Sequence, residues 1–106
     1  MARYLMRVSY SAKGTEGLLK VGGSNRRQEV ERLLKQAGGS LEAIYWAFGE
    51  DDVFAIADLP DNVTAAAVAL SIAKSGAVSL TTTVLLTAEE IDEATKKQVD
   101  YRPPGS

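Results

Sequence analysis

The sequence predicts an α+β domain: a four-stranded antiparallel sheet built in the order β-α-β-β-α-β, with a C-terminal helix added. Three observations predict it. Four stretches read as strands, by two-residue alternation or by β-rich apolar runs. Three others carry helix signals, namely an apolar stripe, an alanine-rich run and a capping box. Glycine, proline and acidic turn residues punctuate the joints. With 106 residues, 45% of them hydrophobic and 25% charged, the chain suits one packed domain over residues 1–98, with 99–106 as an extended tail.

Residues 3–10 alternate Tyr4, Met6, Val8, Tyr10 against Arg3, Leu5, Arg7, Ser9, which is the first strand. Lys13-Gly14-Thr15 turns the chain, and Thr15 to Lys20 make one short helical turn that Gly22-Gly23 ends. Ser24 is then the expected N-cap of a helix over Asn25–Ala37, where Val30, Leu33, Leu34 and Ala37 form one stripe. Gly38-Gly39 supplies its left-handed stop. Residues 40–48 and 52–59 are two strands joined by Gly49-Glu50-Asp51. Strict alternation puts Ile44, Trp46 and Phe48 on one face, with Leu41, Ala43, Tyr45 and Ala47 on the other. In the next strand Val53, Ala55, Ala57 and Leu59 oppose Phe54 and Ile56, so both faces of the sheet need cover.

Pro60 ends that strand, and Asp61 or Asn62 caps a helix over Val63–Ser75. That helix is apolar nearly all round, which predicts burial on every side. Residues 77–86 are the fourth strand, and Thr87-Ala88-Glu89-Glu90 is a capping box opening a third helix to about Lys97. Strands and helices in this succession give the ferredoxin-like arrangement.

Gly38-Gly39, Ile44-Tyr45-Trp46-Ala47-Phe48-Gly49, Asp52 and Asp58-Leu59-Pro60-Asp61-Asn62 together resemble the GYD domain family. The likeness continues through the alanine-rich helix to Leu85-Leu86-Thr87-Ala88-Glu89-Glu90 and Tyr101-Arg102-Pro103-Pro104-Gly105, nearly the whole chain. Gly49 and Asp52 match the element that gives the family its name, whereas Asp51 stands where its tyrosine would be. The resemblance implies a ferredoxin-like fold akin to dimeric α/β-barrel proteins, and it implies no function.

Composition excludes more chemistry than it suggests. The chain has no cysteine and no histidine. Thiolate nucleophiles, imidazole bases and Cys- or His-ligated transition metals are therefore out, and no metal or cofactor is expected. No apolar run approaches the ~20 residues that span a bilayer, and Arg3 and Arg7 break any signal-peptide core, so a cytoplasmic protein is expected. Residues 1–37 carry net +5 and residues 38–106 net −7. The basic groups are dispersed over a strand and a helix, and the pI is near 5.1, which argues against nucleic acid. The stretch Asp52–Ala57 also lacks the basic and glycine positions of an RNA-reading strand.

Three constellations remain. Glu50-Asp51-Asp52 could hold a hard cation or raise one carboxyl as a general base, but a solvated hairpin tip is the plainer reading. Gly22-Gly23-Ser24-Asn25-Arg26-Arg27 joins a helix N-terminus to two guanidinium groups, so Ser24, Arg26 and Arg27 are candidates for an anion; exposed arginines beside a turn are the simpler alternative. Arg7, Tyr45, Trp46 and Asp52 are candidates for a ligand site, although Tyr45 and Trp46 must point to opposite faces.

The expected function is a homo-oligomeric module, a dimer or higher, that binds a small apolar or anionic ligand or a protein partner without catalysis. The alternative is a cofactor-independent oxygenase or isomerase acting on an activated aromatic, with Asp52 as proton acceptor beside Arg7 in one cavity. Assembly of the dimeric α/β-barrel type follows from apolar surface that so short a chain cannot cover, because the third helix offers only Ile91, Ala94 and Val99. The charge split suits contacts between copies, and the Tyr101–Gly105 tail could reach a neighbour. Ile44→Asp or Trp46→Asp is expected to dissociate the assembly or prevent folding.

Overall fold

The computed structural model describes residues 1–105; Ser106, the end of the expected tail, lies outside the described residues. The elements are β1 (Ala2–Tyr10), α1 (Ala12–Gln36), β2 (Ser40–Trp46), β3 (Val53–Leu59), α2 (Asn62–Ala73), β4 (Val78–Leu85) and α3 (Ala88–Thr95). The fold is α+β. Its four strands form one open antiparallel sheet in the spatial order β2-β3-β1-β4, which leaves β2 and β4 as edges.

Alternation decides what is buried. Tyr4 and Met6 of β1 and Ala55, Ala57 and Leu59 of β3 turn toward the helices, where Leu34 of α1 and Ala65 and Val68 of α2 complete the core. Tyr4 is 1% exposed, and its hydroxyl donates to Asn62 Oδ1 at 2.6 Å, so the ring is buried without orphaning its polar tip. Asp61 is thus the residue left to cap α2, and its carboxylate accepts from Thr64 N at 2.8 Å.

Three sequence expectations need correction. Ser24 is not an N-cap. The helix starts thirteen residues earlier, capped by Ser11, whose side chain accepts from Gly14 N. The break falls at Gly22, with φ 80° and ψ 166°, a backbone state that only glycine adopts without strain. Asn25 Nδ2 then donates to Val21 O across the break, at 2.8 Å.

The second correction concerns β2. A register shift between Leu41 and Ala43 puts a bulge in the strand, so Leu41 and Ile44 both pack on the helix-side core instead of facing opposite ways.

The third concerns α2. Ala65 and Val68 are buried, but Val63 and Leu70 are 79% and 70% exposed. Among the described residues nothing covers its outer apolar face.

The far face of the sheet is equally open. Cross-strand rows run Ala43, Ile56, Leu5, Thr83 and Tyr45, Phe54, Arg7, Thr81 across β2, β3, β1 and β4. Among the described residues no helix lies over them. The capping box of α3 forms as expected, with Thr87 and Glu90 exchanging hydrogen bonds, yet α3 makes no substantial packing contact, and Ile91, Val99 and Tyr101 stay exposed. The edge strand β4 reads Val-Ser-Leu-Thr-Thr-Thr-Val-Leu, without a charge or a proline.

Candidate functional site

The hairpin between β2 and β3 is closed by Ala47 N–H donating to Asp52 O at 2.8 Å. From there Asp52 and Asp51 diverge. Asp52 N–H donates to Val8 O and its Oδ2 accepts from Tyr10 N, both at 2.8 Å, so this carboxylate fastens the end of β1. Asp51 turns the other way, with Oδ2 3.9 Å from Arg7 Nη1 and Oδ1 3.5 Å from Ser9 Oγ. Among the described residues no three carboxylates come together in a group that could hold a metal ion.

Tyr45 and Trp46 do face opposite sides. Tyr45 stands 71% exposed on the open face, paired across the strands with Phe54. Trp46 Nε1 donates to Tyr10 Oη at 3.3 Å on the helix side. Around that pair lies a shallow cleft of about 400 Å³, bordered by Leu18, Gly23, Phe48 and Asp52. Arg7 does not join it. Its place is in the middle of the open face between Phe54 and Thr81, and its Nε is buried with no acceptor. Of the four candidate ligand residues the structure therefore brings together Trp46 and Asp52, and leaves Arg7 and Tyr45 on the other face.

The candidate anion group also separates. Ser24 is exposed within the helix, and Arg27 Nε pairs with Glu31 at 3.6 Å. Arg26 alone turns inward, half-buried between α1, α2 and the sheet. Its neighbour Glu29 is held by a forked pair of bonds from Arg32, which keeps the Glu29 carboxyl below the usual range. The residue that sequence reasoning missed is Tyr10. It borders the cleft at Trp46 and also the cavities next to Arg26. Its only sequence signal was a phenol at the last position of a strand's inward face.

No curated protein and no solved structure matches the chain at a significant level. The profile of the GYD domain matches residues 4–95, from the buried tyrosine of β1 to the last residue of α3. With most of its length accounted for in that way, the chain belongs to the GYD domain family.

Proposed function

We propose that the protein works as a non-catalytic homo-oligomer in which copies meet over their open sheet faces and hold a small apolar or anionic ligand. In this reading the domain is ferredoxin-like and the assembly is of the dimeric α/β-barrel kind. The observation that carries it is the uncovered face itself. Leu5, Phe54, Ile56 and Leu85 form an apolar field there, with no layer of the described residues above it. The accessible surface supports the same reading. At 7636 Å² it exceeds what a monomer of 11.3 kDa exposes, about 5,700 Å² by the usual scaling of area with mass. A second copy is the simplest occupant, since a two-fold axis brings identical apolar patches together.

The catalytic alternative asks for Asp52 and Arg7 in one cavity. They stand apart, with Asp52 engaged by the Tyr10 amide, so no observation favours that reading. The location of the open face also changes the informative substitution. Ile44 packs against the core, so Ile44→Asp reports on folding; Phe54, 36% exposed, reports on association. Light scattering at low micromolar concentration is expected to give a dimer or larger mass for the unmodified chain and a monomer mass for Phe54→Asp. A monomer mass for the unmodified chain, independent of concentration, overturns the proposal.

A further inference from the structure

The bend at Gly22 leaves a gap beneath α1. The first half of the helix is anchored tightly. A Cβ at Gly14 would stand 2.1 Å from Ala77 O, so only glycine lets the helix approach the start of β4 this closely. The second half packs on the core through Val30, Leu33 and Leu34. Between them opens a cleft of about 480 Å³, within the range of small-molecule sites. Leu18, Val21, Leu33, Ile72 and Val78 make its apolar wall.

Charge in this cleft is net positive. Lys13 and Arg26 line it with Glu29, but Glu29 is already bonded to Arg32. Among the described residues no carboxylate lies within ion-pair distance of Arg26. Arg26 also borders a small void of about 50 Å³ with Val30, Val53 and Leu80, so its side chain runs along apolar groups, and Glu29 attracts it without bonding it. A guanidinium with no bonded carboxylate is free to take an incoming one in a forked, charge-assisted pair of bonds.

We propose that this cleft binds a small monocarboxylate with an apolar body, the carboxylate on Arg26 and the body along Leu18, Ile72 and Val78. The inference rests on the ligand-binding part of the function proposed above and names the chemistry of that ligand. It is independent of the sheet face where the copies meet.

The test titrates nitrogen-15-labelled protein with octanoate and, separately, with octanamide, its uncharged counterpart. Octanoate is expected to shift the Arg26 side-chain Nε–H resonance and the amides of Gly14 and Gly17, and to bind about tenfold more tightly than octanamide. Arg26→Leu is expected to reduce octanoate binding to that of octanamide. Arg26→Lys should retain part of the preference, and Arg27→Leu all of it, since Arg27 faces Glu31 outside the cleft. Equal binding of the two probes by the unmodified protein overturns the carboxylate assignment and leaves a ligand cleft standing. Binding of neither overturns the ligand-binding reading as well. The probe comparison on unmodified protein decides the matter even if Arg26→Leu does not fold.

Discussion

Asp52 joins β3 to β1 with both its backbone and its side chain. Removing the acceptor leaves the Tyr10 amide without its partner, so Asp52→Ala is expected to lower stability by about 1–3 kcal/mol. Asp52→Asn, which keeps a side-chain oxygen, should cost about 0.5–2 kcal/mol. Urea unfolding followed by Trp46 fluorescence measures both, and an unchanged midpoint for the alanine variant would show that water replaces the carboxylate freely. Asp61 provides a second residue-scale expectation. Its carboxyl is held below the ordinary value of 3.8, first by the Thr64 backbone N–H and then by the Thr64 side chain. A carboxyl depressed in the folded state contributes stability in full above its unfolded value, and loses it as pH falls through the lowered one. Asp61→Asn should therefore flatten the acid limb of stability below pH about 4 and leave its shape near neutrality unchanged. An acid limb as steep as that of the unmodified protein would assign the effect elsewhere, for instance to Glu29. At this scale the sequence was legible where a contact is local. The Thr87–Glu90 exchange spans three residues and is read directly, whereas the Asp52–Tyr10 bond joins positions 42 apart and depends on strand register.

Elements show the same division between local and distant causes. α3 is specified by its own capping box but leans on nothing, and a helix of eight residues has little stability of its own. Thr87→Ala should accelerate hydrogen exchange throughout Ile91–Thr95 while leaving the amides of the sheet and the global melting temperature unchanged. A cooperative fall in melting temperature would mean that α3 is packed against a neighbour in solution. The glycine pair in α1 announced a break without saying where. Neither residue has a side chain to vote, and only the packed geometry puts positive φ at Gly22 and helical backbone after it. The bulge in β2 was invisible for a related reason. A period of two carries no mark of a skipped residue, and Leu41 and Ile44 reach the same core only because the register shifts between them. The outer face of α2 was read correctly as apolar and wrongly as covered, because periodicity reports what a surface needs and not whether the same chain supplies it.

The molecule as a whole is drawn out, with a radius of gyration of 16.9 Å, against about 13 Å for an ordinary domain near this length. Its extents of 57 × 32 × 23 Å leave much of the chain far from any shared core. If association over the open face supplies the missing cover, unfolding is linked to concentration, and the melting temperature of the unmodified chain should rise with protein concentration while that of Phe54→Asp stays level. The two edges of the sheet differ in a way that matters when the chain is partly unfolded or held as single copies. β2 carries Glu42 and a bulge, both of which discourage another strand from adding beside it. β4 presents eight consecutive residues with neither a charge nor a proline, rich in threonine and valine. Its free row of amides and carbonyls is a template for cross-β stacking, so aggregation of this protein would begin along β4, strand upon strand, and a fibril seeded there would grow from the one border of the sheet that has no gatekeeper.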